Sequence, residues 1–129
     1  MKFLLDTQIF IWWDSEPEKL PARLSALFED PSLTFVLSIA SVWEMQIKAQ
    51  LGKLDLNRPL NEIVVDQQRS NLLQLLPIEL RHVLTLQQLP LYHKDPFDRL
   101  IIAQALAEQL TLLSVDAIFT HYPVAVIGK

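Results

Sequence analysis

Four carboxylates, Asp6, Glu44, Asp98 and Asp116, each follow an apolar, strand-forming run, yet they are scattered across most of the 129-residue chain. In an open parallel sheet, the segments that leave the strands share one edge, and ligands bind along that edge. Side chains this far apart in sequence would meet there as one acidic pocket. Carboxylates gathered in one place repel one another unless a cation joins them. An all-oxygen donor set suits Mg²⁺ or Mn²⁺ and offers nothing for copper or structural zinc. Ions held in this way lower the pKa of a water, orient it, and neutralise charge on a phosphodiester during in-line displacement. The implied chemistry is hydrolysis of a phosphate ester.

Each carboxylate also has a plainer explanation. Asp6 can cap the helix that follows it, and Asp116 can cap the short segment 117–120; spacing alone leaves both readings open. Glu44 can pair with Lys48 one turn along an exposed helix. Its neighbours on that stripe, Ala40, Ile47 and Leu51, are nevertheless apolar, so the carboxylate is expected to face inward, where it needs a partner. Asp95 and Asp98 stand three residues apart at a helix start, with Asp95 placed as the cap and Pro96 as the first helical residue. Asp98 leads the apolar stripe Ile101, Ile102, Ala105 and is expected to face the interior or a cleft. Lys48, Lys94 and Arg99 lie beside these acids and either border the pocket with positive charge or are ordinary solvated surface groups.

The elements that would position these residues alternate along the chain. Strands are expected at Lys2–Leu5, Leu33–Leu37, Leu72–Ile78, Thr111–Val115 and Val124–Ile127. Helical segments are expected around Ile9–Trp13, from Pro21 to Phe28, from Ser38 or Ser41 to Leu51 with closure at Gly52, over Pro59–Arg69, over Glu79–Gln88, and from Pro96 to about Gln109. Leu89–Lys94 lacks periodicity. The alternation predicts a three-layer α/β/α sandwich with a mainly parallel central sheet, formed by one domain over residues 1–129. The Phe10–Trp13 run exceeds what one helix face buries. Part of it is either a dimer or partner surface or belongs to a helix buried on both sides.

Composition narrows the chemistry further. Cysteine is absent, which removes disulfides, thiolate nucleophiles and thiolate zinc sites together. With only two glycines, Gly52 and Gly128, a phosphate-cradling glycine loop is excluded. The three histidines, His82, His93 and His121, show no metal-ligand spacing and read as solvated or hydrogen-bonding residues. Ser38, Ser41 and Ser114 lack a nucleophile-elbow setting. No apolar run is long enough for a membrane span, and Asp6 interrupts any signal-like start, so a soluble, cytoplasmic protein is expected. A net charge of −4 argues against broad nucleic-acid binding but allows a local basic rim.

Together these residues resemble the PIN-domain family, and more narrowly the VapC-type toxins of bacterial toxin–antitoxin systems. Leu4-Leu5-Asp6-Thr7 is similar to the family's first strand end. Ser41-Val42-Trp43-Glu44 is similar to its "S-x-W-E" helix, and His93-Lys94-Asp95-Pro96-Phe97-Asp98-Arg99-Leu100-Ile101-Ile102-Ala103-Gln104-Ala105 to the "H-x-DPFDRLL-x-AQA" segment of one subgroup. Leu113-Ser114-Val115-Asp116 resembles "L-x-T-x-D", with serine in place of threonine. The resemblance implies a Mg²⁺- or Mn²⁺-dependent endoribonuclease acting on RNA. Asp6, Glu44, Asp98 and Asp116 would be its metal-binding quartet, Asp95 an auxiliary carboxylate, and Thr7 and Ser114 hydroxyl partners. It also implies a homodimer held inactive by a small cognate antitoxin. Two other readings stand beside it. A metal-dependent phosphatase or phosphotransferase would use Asp6 as nucleophile, but its usual pattern wants a second aspartate where this chain has Gln8. A non-catalytic dimeric regulatory or binding protein would keep the acidic edge as a relic.

Overall fold

Side-chain alternation along the first strand decides which face of the sheet each residue serves. The computed structural model describes residues 1–128; Lys129, which the single-domain reading includes, lies outside the described residues. β1 (Lys2–Leu5), β2 (Thr34–Ser38), β3 (Gln74–Leu76), β4 (Thr111–Leu113) and β5 (Val126–Ile127) form one sheet in the order β3-β2-β1-β4-β5. Every neighbouring pair is parallel. The register sets Leu4 beside Val36 and Leu112, and Phe3 beside Phe35. Leu4, Val36 and Leu112 enter the core on one face, while Phe3, Leu5, Phe35, Leu37 and Leu113 enter the core on the other. With both faces covered, these strands read as continuous apolar runs, as parallel strands do.

Among the described residues six α-helices complete the layers: α1 (Thr7–Ser15), α2 (Ala22–Phe28), α3 (Ile39–Gln50), α4 (Leu60–Ser70), α5 (Leu80–Thr85) and α6 (Pro96–Glu108). Ile9 and Phe10 of α1, Leu24 of α2 and Ile63 of α4 fill the first core, with Met45 of α3 joining them. α6 supplies Ile101, Ile102, Ala103 and Ala105 to the second. The result is the expected three-layer sandwich, its sheet parallel throughout the described residues. The Ser38 hydroxyl accepts from Ala40 N at 3.0 Å to cap α3, and Gly52, at φ +72°, follows its last turn. At the end of α6 the left-handed position falls to Gln109, at φ 56°, where glycine is the usual choice. No helix among the described residues is long and apolar enough to cross a membrane.

Several boundaries depart from expectation, and β4 stops at Leu113, two residues short of Val115. The third strand shrinks to Gln74–Leu76 because Leu72 takes φ 54° and cannot continue extended backbone. The segment after it divides into α5 and a 3-10 turn at Leu86–Gln88, and the last strand begins only at Val126. Part of the aromatic surplus of α1 packs inside the molecule. Phe10 is fully buried, and the Trp13 ring stacks on Phe28 with centroids 4.5 Å apart; Phe28 lies 4.5 Å from Phe35, which stacks on Phe3 at 6.2 Å. Ile11 and Trp12 pack against the same core and, with Trp13, stay partly exposed, so the run is neither fully enclosed nor a free surface. Removing the Trp13 ring from that stack should cost about 3 kcal/mol. Urea denaturation of Trp13→Ala checks it, and an unchanged midpoint would place the ring outside the core.

Candidate active site

The strand order reverses direction at β1, whose neighbours are β2 on one side and β4 on the other. Chain segments therefore leave the sheet in opposite directions above β1 and β4, which opens a crevice at their C-terminal ends. A cleft of about 360 Å³ occupies that edge, lined by Asp6, Thr7, Glu44, Lys48, Lys53, Asp95, Asp98 and Asp116 among others. All four carboxylates singled out in the sequence reach it, with Asp95 beside them.

Each arrives by a different route. Asp6 follows β1 and occupies the cap position of α1, yet its side chain makes no capping bond. Its Oδ2 instead accepts from the Ser114 hydroxyl at 2.9 Å, and that same hydroxyl accepts from Asp116 N at 3.0 Å. Glu44 is 4% exposed despite standing mid-helix on α3. The Thr7 hydroxyl donates to its Oε1 at 2.8 Å and lies 2.9 Å from the Ser41 hydroxyl, while Lys48 Nζ reaches Oε2 at 2.8 Å. The one-turn pair with Lys48 therefore exists, but on a buried acid. Asp95 caps α6, its Oδ1 accepting from Phe97 N at 2.8 Å and Asp98 N at 3.2 Å. Asp116 caps the 3-10 turn Ala117–His121 through Ile118 N at 3.1 Å and still lines the cleft. Capping and clustering are compatible because a carboxylate has two oxygens.

The electrostatics reflect crowding. Burial pushes the Asp6 carboxyl up to about 6, with Glu44 and Asp116 adding repulsion while Ser114 opposes it. Burial raises Asp98 to about 7, reinforced by Asp6, Asp95 and Glu44 and relieved slightly by His93. Lys48 is raised chiefly by its hydrogen bond to Glu44. Two lysines, Lys48 and Lys53, thus line this pocket against five acids, and Lys48 pairs directly with Glu44. The donor set fits a hard divalent ion: the named contacts engage one oxygen each of Asp6, Asp98 and Asp116, and the second oxygen of each stays available for coordination. Ligand atoms of His93, Asp98 and Asp116 come within 4.8 Å of one another.

The flanking basic residues separate. Lys48 lines the cleft; Lys94 and Arg99 do not. Arg99 directs its guanidinium to the carbonyls of Pro90, at 2.9 Å, and Leu86, at 3.4 Å, where it ties the loop before α6 to that helix. Three participants were given no site role from the sequence, although Ser41 and His93 lie in the family-like segments. Lys53 enters the cleft from the turn after Gly52, Ser41 joins Thr7 beneath Glu44, and His93 Nε2 stands 2.8 Å from Asp98 Oδ2. A second cluster, Glu79, His82 and Glu108, lies at the α5–α6 contact. There His82 Nδ1 accepts from Glu79 N at 3.0 Å and Arg81 bridges both glutamates. That offsets one of the two acid charges and leaves the neutral ring's proton on Nε2, so the cluster is held together by contacts among its own side chains.

The family model described as the PIN domain matches residues 3–125. No curated protein matches by sequence. Among solved structures, the chain is similar to VapBC2 from Rickettsia felis bound to a promoter DNA fragment, with a TM-score of 0.73 at 18% identity, covering 99% of this chain and 98% of that one. DNA-bound VapBC from Salmonella typhimurium gives a TM-score of 0.71 at 17% identity, with 99% and 98% covered. FitAcB from Neisseria gonorrhoeae gives 0.65 at 23% identity, with 97% and 96% covered. At these identities the structural likeness speaks for the fold.

Proposed function

The chain belongs to the PIN-domain family, and from that membership and its carboxylate cleft we propose that it is a VapC-type toxin, an endoribonuclease that hydrolyses RNA phosphodiester bonds with Mg²⁺ or Mn²⁺. The observation that carries this reading is the convergence of Asp6, Glu44, Asp98 and Asp116 on one cleft at the switch point of a parallel sheet. Those four would hold the ion, with Asp95 as an auxiliary acid. A divalent ion bound there supplies charge neutralisation and an activated water. The chain's own groups do the positioning. Thr7 fixes the rotamer of Glu44, and Ser114 fixes Asp6 while holding the start of the Asp116 turn. Lys48 and Lys53 offer ammonium groups to an incoming phosphate at the cleft wall.

An antitoxin partner and a homodimer belong to the same proposal. The apolar side chains of Leu80, Val83 and Leu84 on α5 and Trp43 on α3 are exposed, which supports surfaces covered by protein. The Rickettsia and Salmonella relatives are both VapBC complexes on DNA.

The test is cleavage of structured and unstructured RNA by purified, antitoxin-free protein in Mg²⁺, Mn²⁺ or EDTA, with Asp6→Asn as control. Cleavage that persists in EDTA would overturn the metal mechanism. RNA contact has its own readout. Lys53→Ala should flatten the slope of log K against log salt by about 0.7 for single-stranded RNA, one phosphate contact, whereas Lys94→Ala should leave it unchanged. Equal slopes for both variants would remove Lys53 from the substrate path.

A further inference from the structure

Asp98 is the site acid pushed furthest from its ordinary behaviour, and it starts α6 beside a loop that has no regular structure. That loop carries His93, whose ring is fixed from several sides. His93 N donates to the Tyr122 hydroxyl at 2.8 Å, and that hydroxyl donates to Pro90 O at 2.8 Å. The ring packs edge-on against Phe119, with centroids 6.0 Å apart. Asp95 N donates to His93 Nδ1 at 3.3 Å, so Nδ1 keeps its lone pair and the proton of the neutral ring sits on Nε2. Nε2 is buried, makes no hydrogen bond as it stands, and lies 2.8 Å from Asp98 Oδ2 with its N–H directed off the line between them, so a small turn of either side chain completes the bond.

We propose that His93 is a positioning residue of the carboxylate centre. Its Nε2–H holds Asp98 Oδ2, so that Oδ1 is presented to the cleft, and the imidazole itself is not a ligand. This rests on the metal-dependent reading of the site. The alternative use of the same atoms is direct ligation, since His93, Asp98 and Asp116 are close enough to share an ion. Ligation through Nε2 would require the proton to move to Nδ1, which would set it against the Asp95 N–H. The tautomer therefore separates the two roles. Ligand carboxylates are commonly held by an outer hydrogen bond, whose loss costs 10–100-fold in metal affinity. Asp95 serves the arrangement twice: its side chain caps α6 beneath Asp98, and its backbone N–H selects the His93 tautomer.

The experiment compares wild type, His93→Ala and His93→Gln, with Mn²⁺ as the probe. Mn²⁺ affinity is measured by the paramagnetic resonance signal of the unbound ion, and RNA cleavage is measured in parallel on proteins checked for an unchanged melting temperature. Glutamine offers an amide N–H in place of Nε2–H; alanine offers nothing. His93→Ala should bind Mn²⁺ about 10–100-fold more weakly, His93→Gln should stay within about threefold of wild type, and kcat should fall in the alanine variant more than KM rises. The bound Mn²⁺ spectrum should lack the coupling of a directly coordinated nitrogen. Such a coupling, wild-type affinity in the alanine variant, or equal losses in both variants would each overturn the proposal. Wild-type protein that binds no Mn²⁺ overturns this inference and the metal mechanism together. Wild type that binds Mn²⁺ but cleaves no RNA overturns only the ribonuclease reading.

Discussion

At pH 8 an Asp6→Asn protein will melt several degrees above wild type and cleave RNA about a thousandfold more slowly. Burial, with repulsion from Glu44 and Asp116, places the Asp6 carboxyl at about 6 instead of its ordinary 3.8. A raised carboxyl pKa means that the fold favours the protonated form. The stability it contributes is fully present below about pH 4 and is lost as pH rises through 6, so at pH 8 wild type carries the whole cost of a buried charge. A shift of roughly two units corresponds to about 3 kcal/mol, and the asparagine amide needs a partner of its own, so a gain of about 1–2 kcal/mol is expected. For a chain of this size that is roughly 3–8 °C. Asparagine Oδ1 can still accept from Ser114, so the local geometry persists while the ligand charge is lost. Thermal melts at pH 8 and pH 4 check the sign, since the advantage should vanish at pH 4. An Asn protein less stable than wild type at pH 8, or one within tenfold of its activity, would contradict the account.

The second large effect belongs to the cation. Mn²⁺ at a hundred times its dissociation constant should stabilise the protein by about 2.7 kcal/mol, a rise of roughly 8–13 °C, at pH 8. At pH 5 the gain should shrink sharply. Asp98, at about 7, and Asp6, at about 6, are then mostly protonated and must release protons before binding, and metal affinity falls accordingly. EDTA should abolish both the stabilisation and the cleavage. Equal melting shifts at the two pH values would mean that the ion binds away from these carboxyls.

How much of this was legible beforehand differs by residue. The alternation of apolar runs with helical stripes was enough for a parallel sandwich, because strands buried on both faces and helices buried on one leave distinct periods. The inward aim of Asp98 could be read from Ile101 and Ile102; for Glu44 the stripe was a weaker guide, since Ala40 is buried but Ile47 is half-buried and Leu51 is exposed. His93, Lys53 and Ser41 could not be found this way. His93 and Lys53 stand outside the helices and strands, where no period exists, and Ser41 resembles any small residue at a helix start. Arg99 shows the reverse case: a cation beside an acid in sequence turns toward two carbonyls in space. Which of Asp6 and Asp116 would cap was equally hidden, since both follow strands and precede helical turns. Only the Ser114 hydroxyl, 108 positions along the chain, draws Asp6 away from its own helix.

That last contact ties the start of the chain to its end. β1, its acid and its first neighbour β2 can be made early, but the partner hydroxyl and the second neighbouring strand do not exist until residues 111–114 have been synthesised. A growing polypeptide therefore cannot assemble the four-carboxylate cleft until residues 111–116 have been made and have settled beside β1.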